Sequence, residues 1–174
     1  VLGIQINELN KIIDENSNKF QCYIANDNST GQVVLSGSSE SIESISNLLF
    51  QKKVKFVKLP VSAPFHCPLM TKATQEMKDI ILETEFKQPK INIISNVDAR
   101  PQNKPEIIKN LLIQQIENPV KWRESVNYMI NSGVKKFVEI GPGKVLSGLI
   151  KRIDRNVKLN QVNNLNDAKD LLND

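Results

Sequence analysis

Apolar positions in the first sixty residues recur with two different periods. In "QINELNKIIDEN" Ile6, Leu9, Ile12 and Ile13 fall on one face of a 3.6-residue helix. In "SSESIESISNLLF" Ile42, Ile45, Leu48 and Leu49 repeat those offsets behind serines suited to N-capping. Around these helices, "KFQCYIA", "QVVLSG" and "VKFVKLPVS" carry the β-branched and aromatic residues of strands and are bounded by turn formers such as "NDNSTG". With "VLGI" as first strand the order is βαββαβ, the split arrangement called ferredoxin-like. The chain opens at Val1 inside that apolar run, which reads as a strand cut partway along or as an initiator read as valine.

After Ser62 strands alternate with longer helices, the rhythm of a parallel, helix-covered sheet. Residues 1–61 therefore read as one α/β subdomain and 62–174 as part of a second. Pro68 suits a first helical position, and Leu69, Met70, Ala73, Met77 and Ile80 predict the buried stripe of a helix to about Glu83. "INIISNV" reads as a buried strand. Pro105 opens a helix with Ile108, Leu111 and Leu112 inward, "NPVKW" breaks the chain, and Val126, Met129 and Ile130 mark another helix stopped near Gly133. Then come a strand "KKFVEI", a tight turn "GPGK", a helix "VLSGLIKRI", a weaker strand "VKLNQV" and a closing helix "LNDAKDLLND".

At 174 residues and 40% hydrophobic the chain buries a real core. Its net charge of +4 comes from dispersed lysines, without the basic run or aromatic interleaving of a nucleic-acid surface. No apolar run of membrane-spanning length and no basic-then-apolar leader occurs, so neither a membrane span nor a signal peptide is expected, and a reduced cytoplasmic setting is. Two cysteines, Cys22 and Cys67, and one histidine make neither a disulfide framework nor a zinc site.

The one histidine, His66, lies in "VSAPFHCPLM", at a strand-to-helix junction between Pro64 and Pro68. It reads either as a neutral core imidazole or as a general base, and such junctions are where α/β sheets gather active-site groups. A base needs a nucleophile, yet no G-x-S-x-G occurs: Ser36, Ser39 and Ser147 each sit near a glycine, but none has glycine at both required positions. Both cysteines read as core. "EIGPGKVLSG" fails the P-loop at Val145 and the dinucleotide fingerprint at Leu146, which leaves a structural corner or an anion contact with Lys144.

Three segments together, "NSTGQVVLSG", "LPVSAPFHCPLM" and "EIGPGKVLSGLIKRI", with "SNVDARP" and "QQIENPVKW" between them, resemble the malonyl-CoA:acyl carrier protein transacylases of bacterial type II fatty acid synthesis. The resemblance spans nearly the whole chain but only the C-terminal part of the family's usual length. It implies a ferredoxin-like subdomain inserted in an α/β-hydrolase-like core. The segment not matched is the one that in relatives carries the serine elbow, an oxyanion-hole donor and the arginine for the malonyl carboxylate. By resemblance His66 is the catalytic histidine and the main-chain carbonyl of Gln115 orients it. Asn28 and Gln32 line the substrate cleft, and Phe65 crowds the place of an α-methyl group, favouring malonyl over methylmalonyl. Lys151 and Arg152 would help steer an acidic carrier protein.

The implied activity is [acyl-carrier-protein] S-malonyltransfer in the cytoplasm with no bound cofactor or metal. Malonyl-CoA is the substrate, and phosphopantetheine arrives on the acyl carrier protein. Without the serine the chain alone is expected to be inactive, and a longer parent or a separate N-terminal transacylase half would be a partner. The alternative is a non-catalytic truncated product or an orphan partner-binding domain.

Overall fold

The structure, a computed structural model, describes residues 1–173. The chain divides into two compact units, Val1–Ser125 and Val126–Asp174, so the residues on either side of Val61 share one unit.

The first unit begins with α1 (Ile6–Asp14), β1 (Cys22–Ser29), β2 (Gln32–Gly37) and α2 (Ser39–Gln51). The helical faces read from the periodicity turn inward: Leu9, Ile12, Ile45 and Leu49 are buried, and Ile6, Ile13, Ile42 and Leu48 pack against them. They lie with Phe20, Cys22 and Val33 in one apolar cluster around the antiparallel β1–β2 hairpin. The Ser38 hydroxyl accepts the Ser41 amide at 3.1 Å and so starts α2.

Two expectations are corrected here. "NDNSTG" is not a loop: β1 runs through Asn26, Asp27 and Asn28 to Ser29, and only Thr30 and Gly31 turn the chain, Gly31 with a φ of 72°. Backbone pairing along both edges of β1 overrides the weak strand preference of these polar residues. "VKFVKLPVS" is not a regular strand. Lys55 forms a single antiparallel bridge to Leu2, which also bridges Gln32, so the first and fourth strands of the expected order shrink to bridges. Val57, Leu59 and Val61 beyond it are exposed.

The unit continues with a 3₁₀ turn (Pro68–Met70), α3 (Thr71–Glu83), a short antiparallel pair β3 (Ile93–Ile94) and β4 (Pro101–Gln102), and α4 (Pro105–Gln115). α3 has no buried residue, and Leu69, Met77 and Ile80 of its expected stripe are exposed. On α4 Ile108 and Leu111 are half-buried, whereas Leu112 is exposed. "INIISNV" gives only a two-residue strand with Ile91 and Ile93 exposed. Apolar periodicity reports which face seeks cover; it does not supply the cover.

α5 (Trp122–Asn131) crosses the unit boundary and ends at Gly133, whose φ of 95° lets its amide and that of Val134 cap the last carbonyls of the helix. The second unit then forms β5 (Lys136–Ile140), α6 (Val145–Ile153), β6 (Lys158–Val162) and α7 (Leu165–Asn173). β5 and β6 pair in parallel through the α6 crossover, from Lys136 opposite Lys158 to Ile140 opposite Val162. The closing helix is present, its expected last residue Asp174 lying outside the described residues. No helix is long and apolar enough to cross a membrane among the described residues.

Because Leu9 and Ile45 are fully enclosed and Ile80 is 59% exposed, Leu9→Ala or Ile45→Ala should each cost about 2–5 kcal/mol in urea unfolding. Ile80→Ala should stay within about 0.5 kcal/mol. Equal losses at all three positions would mean that the apolar face of α3 is packed after all.

Candidate active site

His66 sits at the sharpest point of its segment. Its φ is 59°, in the left-handed region that an L-residue enters at a cost of about 1–2 kcal/mol. The next residue, Cys67, is 0% exposed and its thiol donates to the Pro64 carbonyl at 3.1 Å. With Cys67 anchored inward and Pro68 opening the 3₁₀ turn, the chain reverses at His66. The half-buried imidazole projects to the end of α4.

There Nδ1 lies 2.9 Å from the main-chain oxygen of Gln115. A carbonyl only accepts, so this bond places a proton on Nδ1 and leaves the Nε2 lone pair as the ring's basic site. The carbonyl is available for a reason written in the sequence. In a continuing helix Gln115 would receive the amide of residue 119, but residue 119 is proline and has none. The Gln115 side chain is otherwise engaged, donating to the Asn118 carbonyl at 2.9 Å and standing 3.5 Å from Nδ1. The carbonyl also belongs to the C-terminal end of α4, where helix carbonyls lack internal donors.

The segment after Pro119 is held by the free edge of β1. Val120 donates to Ala25 at 2.8 Å and accepts from Asp27 at 2.9 Å, a parallel bridge opposite Asn26. One turn on, Arg123 grips Asp27 with both ends of its fork, Nε 3.0 Å from each carboxylate oxygen and a terminal nitrogen 2.8 Å from one. Hydrogen bonding to Asp27 raises the Arg123 guanidinium above its ordinary value, with burial opposing. Lys121 donates to Asn96 at 2.9 Å, so the loop joining β3 and β4 meets the same point.

Of the residues singled out by resemblance, the geometry brings His66 and the Gln115 carbonyl together. Phe65 precedes the ring and is 45% exposed. Asn28, half-buried, and Gln32 lie on opposite sides of the β1–β2 turn. Cys22 is core, its thiol pushed up to about 11 by burial and by the neighbouring Cys67. The Asp27–Arg123 pair had no sequence signal, because its members are 96 residues apart and Asp27 lies in an apparent loop. A shallow groove of about 820 Å³ along Leu2, Phe50, Val54, Phe56 and Val57 does not include His66. No group of three or more His, Cys, Asp or Glu side chains is placed to hold a metal among the described residues.

In the second unit the "GPGK" corner resolves as structural. The Glu139 carboxylate of β5 accepts the amides of Leu146 at 2.9 Å and Ser147 at 2.7 Å, filling the helix end where an anion would otherwise sit. Asn163 accepts the Gly143 amide at 2.8 Å and gives its own to Asp167 at 2.8 Å.

Residues 8–167 match the acyl transferase domain family. The chain belongs to that family. It is 39% identical over 162 residues to the malonyl CoA-acyl carrier protein transacylase of Bacillus subtilis (strain 168), an alignment covering 91% of this chain and 50% of the relative. The solved acyl-carrier-protein S-malonyltransferase of Bartonella henselae superposes with a TM-score of 0.94 at 37% identity, over 99% of this chain and 55% of that one. A malonyl-transacylase solved with its type II polyketide acyl-carrier protein gives 0.92 at 32% identity, over 100% and 57%. This chain thus spans about half the length of the curated relatives it matches. The α/β architecture agrees with theirs.

Two measurements follow. Desolvation works against Glu139, but hydrogen bonds from the Ser147 hydroxyl and the amides of Ser147, Leu146 and Val145 hold it below its ordinary 4.5. The Asn163 amide, against slight desolvation, leads in lowering Asp167 below 3.8. Groups lowered on folding stabilise above their unfolded values and lose that contribution as pH falls through the folded ones. Amide protection in α6 should therefore hold down to about pH 4.5 and decline below it, and Glu139→Gln should remove most of that dependence; a decline that begins near neutrality would exclude these carboxylates. Separately, a double-mutant cycle on Asp27→Ala and Arg123→Ala should give about 1–3 kcal/mol of coupling, whereas a value near zero would reduce the pair to an ordinary surface contact.

Proposed function

We propose that this chain supplies the histidine part of a malonyl transacylase, moving a malonyl group from malonyl-CoA to the phosphopantetheine thiol of acyl carrier protein. In this reading residues 1–61 are a ferredoxin-like subdomain inserted into the α/β-hydrolase-like core to which 62–174 belong. The nucleophilic serine comes from polypeptide outside these residues. The observation that carries the reading is the His66–Gln115 hydrogen bond within a family whose similar members are named for this reaction.

The chemistry follows from the tautomer. With its proton on Nδ1, the ring takes the serine proton at Nε2 as the oxygen attacks the thioester carbonyl. It then gives that proton to the departing coenzyme A sulfur, leaving malonyl-serine. On the return half, Nε2 takes the proton of the carrier's thiol, the thiolate attacks the malonyl ester, and the proton goes back to the serine oxygen. A neutral carbonyl stabilises the imidazolium less than a carboxylate would. A thioester has a good leaving group, so a weaker base suffices. Asn28 and Gln32 contact substrate from the hairpin, Phe65 limits the α-substituent, and Lys151 and Arg152, both exposed on α6, steer the acidic carrier.

The purified chain alone should show no malonyl transfer, since nucleophile and oxyanion hole together carry several kcal/mol of transition-state stabilisation. When it is joined to the N-terminal portion of a relative, His66→Ala should cut acylation by on the order of 100-fold or more. Gln115→Ala should do little, because the carbonyl stays. Transfer by the chain alone that His66→Ala abolishes would place a nucleophile within these residues, and a large Gln115→Ala defect in a folded protein would reassign that contact.

A further inference from the structure

Lys109, in the middle of α4, is only 9% exposed, yet no carboxylate is paired with it among the described residues. Lysines are almost never buried without a partner. This one has two: Nζ donates to the Leu82 carbonyl at 2.8 Å and lies 5.5 Å from the centroid of the Phe86 ring. Leu82 is in the last turn of α3, whose unsatisfied carbonyls attract a cation. The lysine thus reaches from one helix to cap the C-terminus of the other.

The two helices run antiparallel, and their other ends meet where His66 does. Thr71, which opens α3 five residues after His66, lies 2.9 Å from a carboxylate oxygen of Glu117, two residues past Gln115. That tie is exposed, and the single hydroxyl proton of Thr71 is shared with the Pro68 carbonyl at 2.6 Å, so it is the weaker one. Apolar packing contributes less, because α3 has no fully buried residue and only Ala73 and Ile81 of its apolar side chains are half-buried. The required tolerance is tight: a slide of one residue along a helix is about 1.5 Å, enough to carry a 2.9 Å hydrogen bond out of range.

We propose that Lys109 is a positioning residue for His66: its buried clamp on Leu82 sets the register of α3 against α4 and so holds the ring's Nδ1–H on the Gln115 carbonyl. The catalytic consequence rests on the base role proposed above, while the placement itself does not.

Because the chain has one histidine, its ring signals in a ¹⁵N-labelled sample of the full chain are unambiguous. The ¹⁵N shifts of the neutral ring report which nitrogen holds the proton, and exchange of that proton with water reports opening of the bond. Lys109→Met should speed Nδ1–H exchange by on the order of tenfold or more, the weight of one charge-assisted hydrogen bond. It should also admit the Nε2–H tautomer while the amides of Val33 and Ile45 stay protected, and Lys109→Arg should restore the wild-type ring. Unchanged ring signals in a folded Lys109→Met would show that the anchoring of Cys67 suffices and would overturn the proposal. If Lys109→Met does not fold, the wild type decides. Exchange of the His66 ring proton and of the last-turn amides of α3 should respond identically to low urea, and independent opening overturns the clamp. Should transfer in the joined enzyme survive His66→Ala while Lys109→Met still moves the ring, the clamp stands and the catalytic reading falls.

Discussion

The bond between the edge of β1 and Val120 is the constraint on which the rest of the first unit turns. β1 is paired with β2 on one side, and its other edge would be an open row of amides and carbonyls. Two backbone hydrogen bonds to Val120 close that edge, and the forked Arg123–Asp27 contact fixes the chain direction beside it. The best-packed part of the unit, the cluster around Leu9, Val33, Ile45 and Leu49, thereby sets where residues 119–123 lie. Gln115 is only four residues upstream of Pro119. The acceptor for His66 is thus placed by a hydrophobic core to which His66 contributes nothing.

That division of labour accounts for the uneven packing. The hairpin and its two helices need no help to define a structure, since their apolar faces meet one another. α3 and α4 are joined by two polar ties, one buried and one exposed, and α3 has no fully buried side chain. A hydrogen bond is directional and a hydrophobic contact is not. Helices joined through a few directional contacts hold a register while leaving a surface unspent. The relatives are about twice as long as this chain, in which the apolar positions Met77 and Ile80 are exposed.

What the sequence made legible divides along the same line. Helical periodicity located α1 and α2 to the residue that faces inward, because local spacing and burial agree there. The same periodicity misassigned Leu69, Met77 and Ile80, because it detects an apolar face and not its occupant. "NDNSTG" looked like a loop because strand formation at Asp27 comes from partners 96 residues away in the case of Arg123. His66 was legible as a junction residue, but its acceptor is 49 residues off and was found by resemblance. The residue-level cause of that acceptor was nonetheless present in "QQIENP": a proline four places after a glutamine guarantees a helix-end carbonyl without its usual donor. Lys109 gave no signal, since a lysine between two isoleucines and two leucines reads as a solvent position.

The "GPGK" corner of the second unit shows the opposite use of a helix end. A glycine turn before a helix is a ready anion site, and whether it binds anything depends on what the chain itself puts there. Here Glu139, the fourth residue of β5, reaches over the turn and takes two α6 amides, while Asn163 takes that of Gly143. A ligand phosphate would have to displace a carboxylate that those amides already hold below its ordinary range. The corner is consequently committed to fixing the β5–α6 angle. At α4 the chain does the reverse, using Pro119 to withhold an internal donor so that a carbonyl stays open for a side chain from elsewhere. The two ends follow one rule: a helix terminus serves as a site only where its own chain leaves it unsatisfied.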